Sequence, residues 1–270
     1  MPELPEVETI ARGLGPVLRG RRVVAVEVRE ARLRVPVPPD LAARLAGRRI
    51  ADVFRRGKYL VAALDDGALW LVHLGMSGRL TLVAGPAPRG RHDHVAVLLD
   101  DARALVYHDP RRFGRMDVVA PAALVAETGG GVDALAPELT PALLFALTRR
   151  RRTSIKALLM DQRRVAGLGN IYVNEVLFRA AVRPRRRAGR LTRAECARIV
   201  AAMRAVLAEA IRDGGSSIAD YRDGFGRPGG FQAAHRVYGR AGEPCPRCRT
   251  PVRACRVAGR SSFYCPRCQS

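Results

Sequence analysis

Apolar residues recur at three- and four-residue intervals through Val7, Ile10, Ala11, Leu14, Val17 and Leu18, which predicts an amphipathic helix over residues 5–18. Pro5 suits its first position, and Glu6 and Glu8 its first turn, where carboxylates meet the positive end of the helix dipole. Short β-rich runs follow at 22–28, 59–64, 68–74, 80–83, 94–99, 104–108 and 116–119, with a second helical signal near 40–46 and a hairpin signal at Asp65-Asp66-Gly67. Many short strands flanked by helices predict an antiparallel β-sandwich over residues 1–120. An Ala-, Gly- and Pro-rich stretch, 121–140, reads as a linker.

Beyond it the period changes to that of helices, at 141–150, 154–161, 171–180 and 192–213. The turn Val165-Ala166-Gly167-Leu168-Gly169-Asn170 lies between two of them, beside Arg163 and Arg164, and a helix, a glycine turn and a helix suit phosphate binding. Residues 214–231 are glycine-rich and weakly patterned, as a mobile loop would be, so a helical domain is expected over 141–231 and a separate module over 232–270. The expected fold class is multidomain α+β: a sandwich with flanking helices, a helical domain and a four-cysteine finger.

Composition adds a partner. Formal net charge is +22 and the pI about 11.3, an excess that points to a polyphosphate, with an anionic membrane surface as the weaker reading. No apolar run approaches the roughly 18 residues of a membrane span, and the first residues are acidic where a secretory signal is basic. A soluble, cytoplasmic protein is the expectation. Only two of the 47 basic residues are lysines, Lys58 and Lys156. An ammonium can exchange its proton where a guanidinium cannot, so lysine that persists in so arginine-rich a chain marks candidate chemistry.

Four of the six cysteines form Cys245-Pro-Arg-Cys248 and Cys265-Pro-Arg-Cys268, separated by sixteen residues. That is the spacing of a tetrahedral four-thiolate zinc site, closed to solvent and therefore structural. Arg249, Arg253, Arg256 and Arg260 with Phe263 and Tyr264 fill the intervening hairpin, which suits DNA contact as well as a solvated basic rim. Cys196 and Cys255 receive no role. At the other end, a small second residue favours removal of Met1, which would expose the secondary amine of Pro2. Such an amine condenses with an aldehydic sugar carbon to a permanently charged iminium.

PELPEVE at the N-terminus, HLGMSGRL at 73–80, HDPRRFG at 108–114, GLGNIYVNE at 167–175 and the terminal finger occur together. This set resembles the bacterial formamidopyrimidine-DNA glycosylases, which repair 8-oxoguanine, over essentially the full chain. The resemblance implies a β-sandwich, a helix–two-turn–helix domain and one structural zinc, in a monomeric enzyme on duplex DNA. By position, Pro2 resembles the family's nucleophile, Glu3 its catalytic carboxylate and Lys58 its lysine at the sugar and phosphate. The implied reaction is attack of Pro2 on C1′, departure of the oxidised base, then β- and δ-elimination that cut both flanking phosphodiesters.

A stacked base is out of reach of such chemistry, so the nucleotide must be extruded and its place filled. Met76, Arg111 and Phe113 resemble the family's filling residues, although Met76 and Phe113 taken singly also suit an ordinary core. Asn170, Arg260 and Lys156 are expected at phosphates. His92 is expected there too, or with His73, His94 and His108 as a structural histidine. Ser216, Ser217, Ile218 and Tyr221 resemble the lesion-reading loop. The sequence departs from the family at Gly229-Gly230-Phe231, where an aromatic is expected before the phenylalanine, and at Arg222-Asp223-Gly224-Phe225. Two alternatives remain: an endonuclease VIII-like glycosylase for oxidised pyrimidines, and a zinc-finger DNA-binding protein without catalysis.

Overall fold

The structure, a computed structural model, describes residues 2–218 and 220–270. Met1, whose removal the expected Pro2 nucleophile requires, and Ala219 of the expected loop lie outside the described residues. The chain forms two compact units, 1–128 with 213–232, and 129–212 with 233–270.

The first unit opens with α1 (Leu4–Leu18), followed by β1 (Val23–Val28), α2 (Leu41–Leu45), β2 (Ile50–Arg56), β3 (Tyr59–Leu64), β4 (Leu69–His73), β5 (Arg79–Val83), β6 (Asp93–Leu99), β7 (Ala104–His108), β8 (Arg115–Val119) and the short α3 (Leu124–Glu127). Two four-stranded antiparallel sheets result, ordered β1-β6-β7-β5 and β2-β3-β4-β8. Their facing side chains, among them Leu60, Ala62, Trp70, Val72, Val95, Val97, Leu105 and Tyr107, join Val7, Ile10 and Leu14 of α1 in one core. On the opposite face Val61, Leu69 and Leu71 are covered by Tyr59, Val119 and Leu124, which is why β3 and β4 read as continuous apolar runs instead of alternating ones.

The sequence reading passed over β2. A bulge between Ile50 and Asp52 puts the buried residues Ile50 and Val53 three apart, and so hides the alternation that marks a strand. It also placed residues 214–231 with the helical domain, whereas 213–232 belongs to the first unit. Tyr221 is sunk in the sandwich core. The Leu82 amide donates to the Gly224 carbonyl at 2.8 Å, and Gly224 lies so close to Leu14 that a Cβ would meet its side chain at 2.6 Å. The expected linker, 121–140, is built into structure through α3 and the two-residue strand β9 (Val132–Asp133).

The second unit holds β9, α4 (Pro141–Thr148), α5 (Ile155–Met160), β10 (Val165–Ala166), α6 (Asn170–Arg179), α7 (Arg193–Arg212), β11 (Arg253–Val257) and β12 (Arg260–Tyr264). Capping residues set the helix starts. Thr140 and Ser154 accept from Leu143 and Ala157 amides, and Thr192 and Glu195 cap each other reciprocally. Helix α6 is buried from Ile171 to Phe178, because α5, α7 and β12 all pack on it.

The finger is fastened to α6 by polar groups as well as by Phe178, which enters the finger's small core. Buried Glu175 accepts the backbone N–H groups of Arg236, Val237 and Tyr238 at 3.0, 3.0 and 2.8 Å. Asn174 accepts from the Phe263 amide at 2.9 Å, and Arg247, over the Phe178 ring, donates to the carbonyls of Phe178 and Arg179 at the end of α6. Glu175→Gln removes the charge and presents an NH2 group to one of three buried donors. It is expected to destabilise the protein by about 2 kcal/mol, read as a lower midpoint in urea with an unchanged slope; an unaltered midpoint would show that the three bonds contribute nothing net.

Candidate active site and nucleic-acid interface

The first unit brings the N-terminal candidates together. Glu3 is the N-cap of α1 and is 2 % exposed, beside buried Pro2. Its amide donates to Glu6 Oε2 at 2.7 Å, one arm of a capping box. The other Glu6 oxygen accepts the Ser216 N–H, also at 2.7 Å, and the Glu6 carbonyl accepts from the Tyr221 hydroxyl at 3.3 Å. One buried side chain thus ties the start of α1 to residues 215–221. Gly215, at φ +82°, leaves the room, since a Cβ there would meet Glu6 Oε1 at 2.8 Å. The sequence reading gave Glu6 only a helix-dipole role; its spacing of three from Glu3 was the available signal.

Lys58 stands in the turn between β2 and β3 and is 6 % exposed. Both strands pack on α1, and Arg55 near the end of β2 pairs with Glu8 at 2.8 Å, which sets this turn beside the first turns of the helix. His73, paired with Tyr59 across the sheet, lies in the field of Lys58. Its Nδ1 accepts the Gly75 N–H at 3.0 Å and so must be unprotonated. Burial first, then the charges of Lys58, Arg115 and Arg34, push its pKa from 6.5 down to about 4.

Met76 and the pair Arg111 and Phe113 lie on two turns pressed backbone to backbone. Gly75 has φ +60°, and a Cβ on it would stand 2.4 Å from the Phe113 carbonyl carbon; at Gly114 it would overlap the Tyr107 hydroxyl. The close approach therefore requires glycine at both positions. Asp109, fully buried, organises both turns: it accepts from Ser77 Oγ at 2.8 Å, the Tyr107 hydroxyl at 3.1 Å, and the Gly114 and Arg111 amides at 2.9 and 3.3 Å. Burial, followed by the Asp109 charge, drives the Tyr107 pKa upward, so its proton stays in that bond. Above this base Phe113 is 37 % exposed, with the Arg111 guanidinium 4.8 Å from its ring centroid, and Met76 is half-buried. The core reading of Phe113 therefore does not hold. Asp109 is a residue that positions both turns and that the sequence reading missed, although HDPRRFG contains it.

Among the histidines, His94 bonds the Asp109 carbonyl at 2.7 Å and His108 pairs with Asp93 at 2.8 Å, so both are structural. His92 remains partly accessible beside Arg91. In the expected lesion loop Ser216 is buried, Ser217 bonds the Tyr221 carbonyl and accepts from Gly229, and Ile218 is 53 % exposed. Tyr221 departs from the expectation: it is an anchor in the core, not a group available to a ligand. At the unusual Gly229-Gly230 pair, a Cβ at 229 would meet the Gly215 carbonyl at 2.3 Å, whereas at 230 the nearest atom is 3.5 Å away. The first glycine is thus required, and the second stands where a side chain has room.

In the second unit Asn170 opens α6, the helix that follows the glycine turn, and Arg260 is exposed at the finger's hairpin turn. The expectation for Lys156 is corrected. It is 0 % exposed, and its Nζ donates to the Ser261 carbonyl at 2.7 Å and to Ser262 Oγ at 2.6 Å. An ammonium with no exposed surface cannot meet a phosphate; it holds the strand that carries Arg260. The sulfurs of Cys245, Cys248, Cys265 and Cys268 all lie within 4.8 Å of one another, with Cys245–Cys268 at 3.9 Å and Cys248–Cys265 at 3.5 Å. A zinc–sulfur distance of about 2.3 Å implies tetrahedral edges of about 3.8 Å, so the donor set fits one structural zinc with no position left for water.

Two outcomes are expected here. Asp109→Ala strands three buried donors and the part-buried Arg111 amide and should lower stability by about 3 kcal/mol while weakening binding to damaged duplex; wild-type values for both would refute the hub. For His73 the folded state prefers the neutral ring, so the unfolded state binds more protons between about pH 4 and 6.5. The stability it contributes, up to about 3 kcal/mol, is present above pH 6.5 and lost as pH falls toward 4. His73→Asn should flatten that part of the pH–stability curve in chemical denaturation, and an unchanged curve would exclude His73 as its source.

Comparison with known proteins places these features. The family models for the formamidopyrimidine-DNA glycosylase N-terminal domain, the formamidopyrimidine-DNA glycosylase H2TH domain and the zinc finger found in FPG and IleRS match residues 1–116, 131–222 and 242–270. The formamidopyrimidine-DNA glycosylase of Thioalkalivibrio sulfidiphilus is 51 % identical over 257 residues, 94 % of each chain. The crystal structure of MutM (Fpg) from Thermus thermophilus is 43 % identical with a TM-score of 0.86 over 99 % of this chain and 98 % of that one. A point mutant of Lactococcus lactis FPG in complex with DNA containing Fapy-dG is 33 % identical with a TM-score of 0.91 over the whole of both chains.

Proposed function

The chain belongs to the formamidopyrimidine-DNA glycosylase family, and on that footing we propose that it excises oxidised purines from duplex DNA through an iminium on Pro2. It is a DNA glycosylase with abasic-site lyase activity in base-excision repair, with one structural zinc held by Cys245, Cys248, Cys265 and Cys268. The observation that carries the assignment of residues is their gathering in one unit: Pro2 and Glu3 at the start of α1, the Lys58 turn packed against that helix, and the exposed Arg111–Phe113 pair on its Asp109 base.

With Met1 excised, the Pro2 nitrogen attacks C1′. The new N–C1′ bond forms as the bond from C1′ to the damaged base breaks, and the base leaves with a proton. The positive end of α1 disfavours a second positive charge on the amine and so favours its neutral, nucleophilic form. Glu3 gives a proton to the ring oxygen as the sugar opens, which leaves a Pro2 iminium. That cation drains electrons from C2′, so loss of a C2′ proton expels the 3′ phosphate; δ-elimination then releases the 5′ phosphate. Lys58 stabilises the adjoining phosphate. Met76, Arg111 and Phe113 occupy the gap left by the extruded nucleotide: Phe113 wedges between bases and Arg111 donates to the orphaned cytosine. Ser216, Ser217 and Ile218 face the extruded base, while His92, Asn170 and Arg260 hold backbone phosphates. No helix among the described residues is long and apolar enough to cross a membrane.

Borohydride reduction on duplex containing 8-oxoguanine opposite cytosine should yield a covalent protein–DNA complex whose sugar remnant maps to the peptide beginning at Pro2. Glu3→Gln should lower single-turnover excision by at least about a hundredfold. A complex formed with thymine glycol but not with 8-oxoguanine would favour the pyrimidine enzyme, and no complex with either would leave a DNA-binding protein without catalysis.

A further inference from the structure

Three histidines converge at one end of β6 and β7, and the reaction proposed above uses only His92 among them. The rings of His94 and His108 stand 6.3 and 5.9 Å from that of His92, tilted to it by 73° and 86°. His94 bonds the Asp109 carbonyl at 2.7 Å, and His108 Nδ1 bonds Asp93 Oδ1 at 2.8 Å. The His92 carbonyl accepts the Asp109 amide at 3.0 Å. Among the described residues no hydrogen bond reaches the His92 ring, which keeps partial access to solvent. An unbonded imidazole therefore sits in a corner whose two walls are each fixed by a bond of their own.

The strand register builds this corner. Asp93 on β6 and Arg79 on β5 lie on either side of His108 in the sheet. The pairing of β6 with β7 slips between Asp93 and Val95, so that His94 is an extra residue. Val95 points into the sandwich core, and by simple alternation Asp93, two residues earlier, would point there too. The extra residue turns Asp93 to the face that carries His108. Both Asp93 oxygens are then engaged, Oδ1 by His108 and Oδ2 by the Gly90 amide at 2.8 Å. The other charged groups around the corner are cations: Arg79, with its Nε buried and unbonded, Arg91 beside His92, and Arg112, whose own partner is Glu30 at 3.3 Å. Burial first, then Arg91, His108, His94 and Arg112, hold the His92 pKa below the ordinary 6.5.

We propose that His108, held by Asp93, is a positioning residue for His92, and that the ring it steadies takes up a proton as a duplex phosphate docks. The inference rests on the phosphate contact assigned to His92 above. A neutral imidazole offers a phosphate an ordinary hydrogen bond, whereas an imidazolium offers a charge-assisted one, about twice as strong. The surrounding cations keep the free ring neutral, and an arriving phosphate reverses that balance. Without the His108 wall the His92 ring regains its rotamer freedom, which binding must then remove. Since the bound state holds more protons than the free one, affinity falls as pH rises through the window between the free and the bound His92 pKa. Below that window, and above it, affinity is independent of this group.

The test is the affinity of the full-length zinc-loaded protein for undamaged duplex, measured by fluorescence anisotropy at constant ionic strength between about pH 5.5 and 8. Wild-type affinity should fall with rising pH, by at most about tenfold per pH unit for one proton. H92Q should bind on the order of tenfold more weakly at the acidic end, with most of the pH dependence gone. H108N can still donate to Asp93 but lacks the ring; it should bind about fivefold more weakly than wild type, yet H92Q/H108N should bind no more weakly than H92Q alone. H108Q, a second way to remove the ring, should behave alike, and thermal melting of each variant checks the fold. A purely structural His108 would give losses that add to those of H92Q, and that result, or wild-type affinity in both His108 variants, overturns the positioning role. A flat wild-type pH profile overturns the proton uptake. An H92Q protein that binds like wild type overturns the phosphate contact and this inference with it, while borohydride trapping by the wild-type protein reports separately on the glycosylase reading.

Discussion

The buried carboxylate of Asp109 is the constraint on which the two turns that carry Met76, Arg111 and Phe113 depend. A carboxylate with no solvent is tolerable only when donors surround it, and here they come from both turns it joins: Ser77 from one, Arg111 and Gly114 from the other, with Tyr107 beneath. Above these bonds Phe113 is left 37 % exposed, with the Arg111 guanidinium 4.8 Å from its ring centroid. An exposed phenylalanine is a poor feature for solubility but a good one for entering a base stack. Its exposure is enforced from below, by a base too crowded at Gly75 and Gly114 to accept even one methyl group.

Glu6 plays the same part at the N-terminus. Its two oxygens hold the Glu3 and Ser216 amides, so the start of α1 and the loop 215–221 share one buried anion. Glu6 collects backbone donors from two segments, Asp109 adds the Ser77 and Tyr107 hydroxyls to the amides of its own turn, and Glu175 takes three consecutive amides of a distant segment. In the second unit the zinc organises its own knuckles, while Glu175, Asn174 and Lys156 fix the finger on α6 and keep Arg260 at an exposed turn. The two lysines that stood out in the sequence thus diverge: Lys58 stands in the turn of two strands packed on α1, where the proposed chemistry places it, and Lys156 works inside the protein.

Most of the architecture was legible in the chain itself, because its signals are local. Helix periods with Thr140, Ser154 and Thr192 at their starts, the alternation of the β-rich runs and the paired CxxC knuckles each depend on neighbours in sequence. Where the signal became non-local the reading failed. The bulge at Ile50–Asp52 disguised β2, and burial of Tyr221 carried 213–232 into the first unit. Resemblance, not periodicity, supplied Pro2, Glu3 and the Met76, Arg111 and Phe113 set.

By itself the sequence determined a basic, zinc-bearing, multidomain chain with a candidate amine at its start, since charge, metal-ligand spacing and helix period are properties of the string of residues. Only the tertiary structure decided that Lys156 is inaccessible, that Tyr221 is an anchor, that Phe113 is exposed, and that Glu6 and Asp109 bind segments up to 210 residues apart. The physical reason is that burial and the satisfaction of polar groups depend on which distant segments close over a residue. No pattern of near neighbours records that.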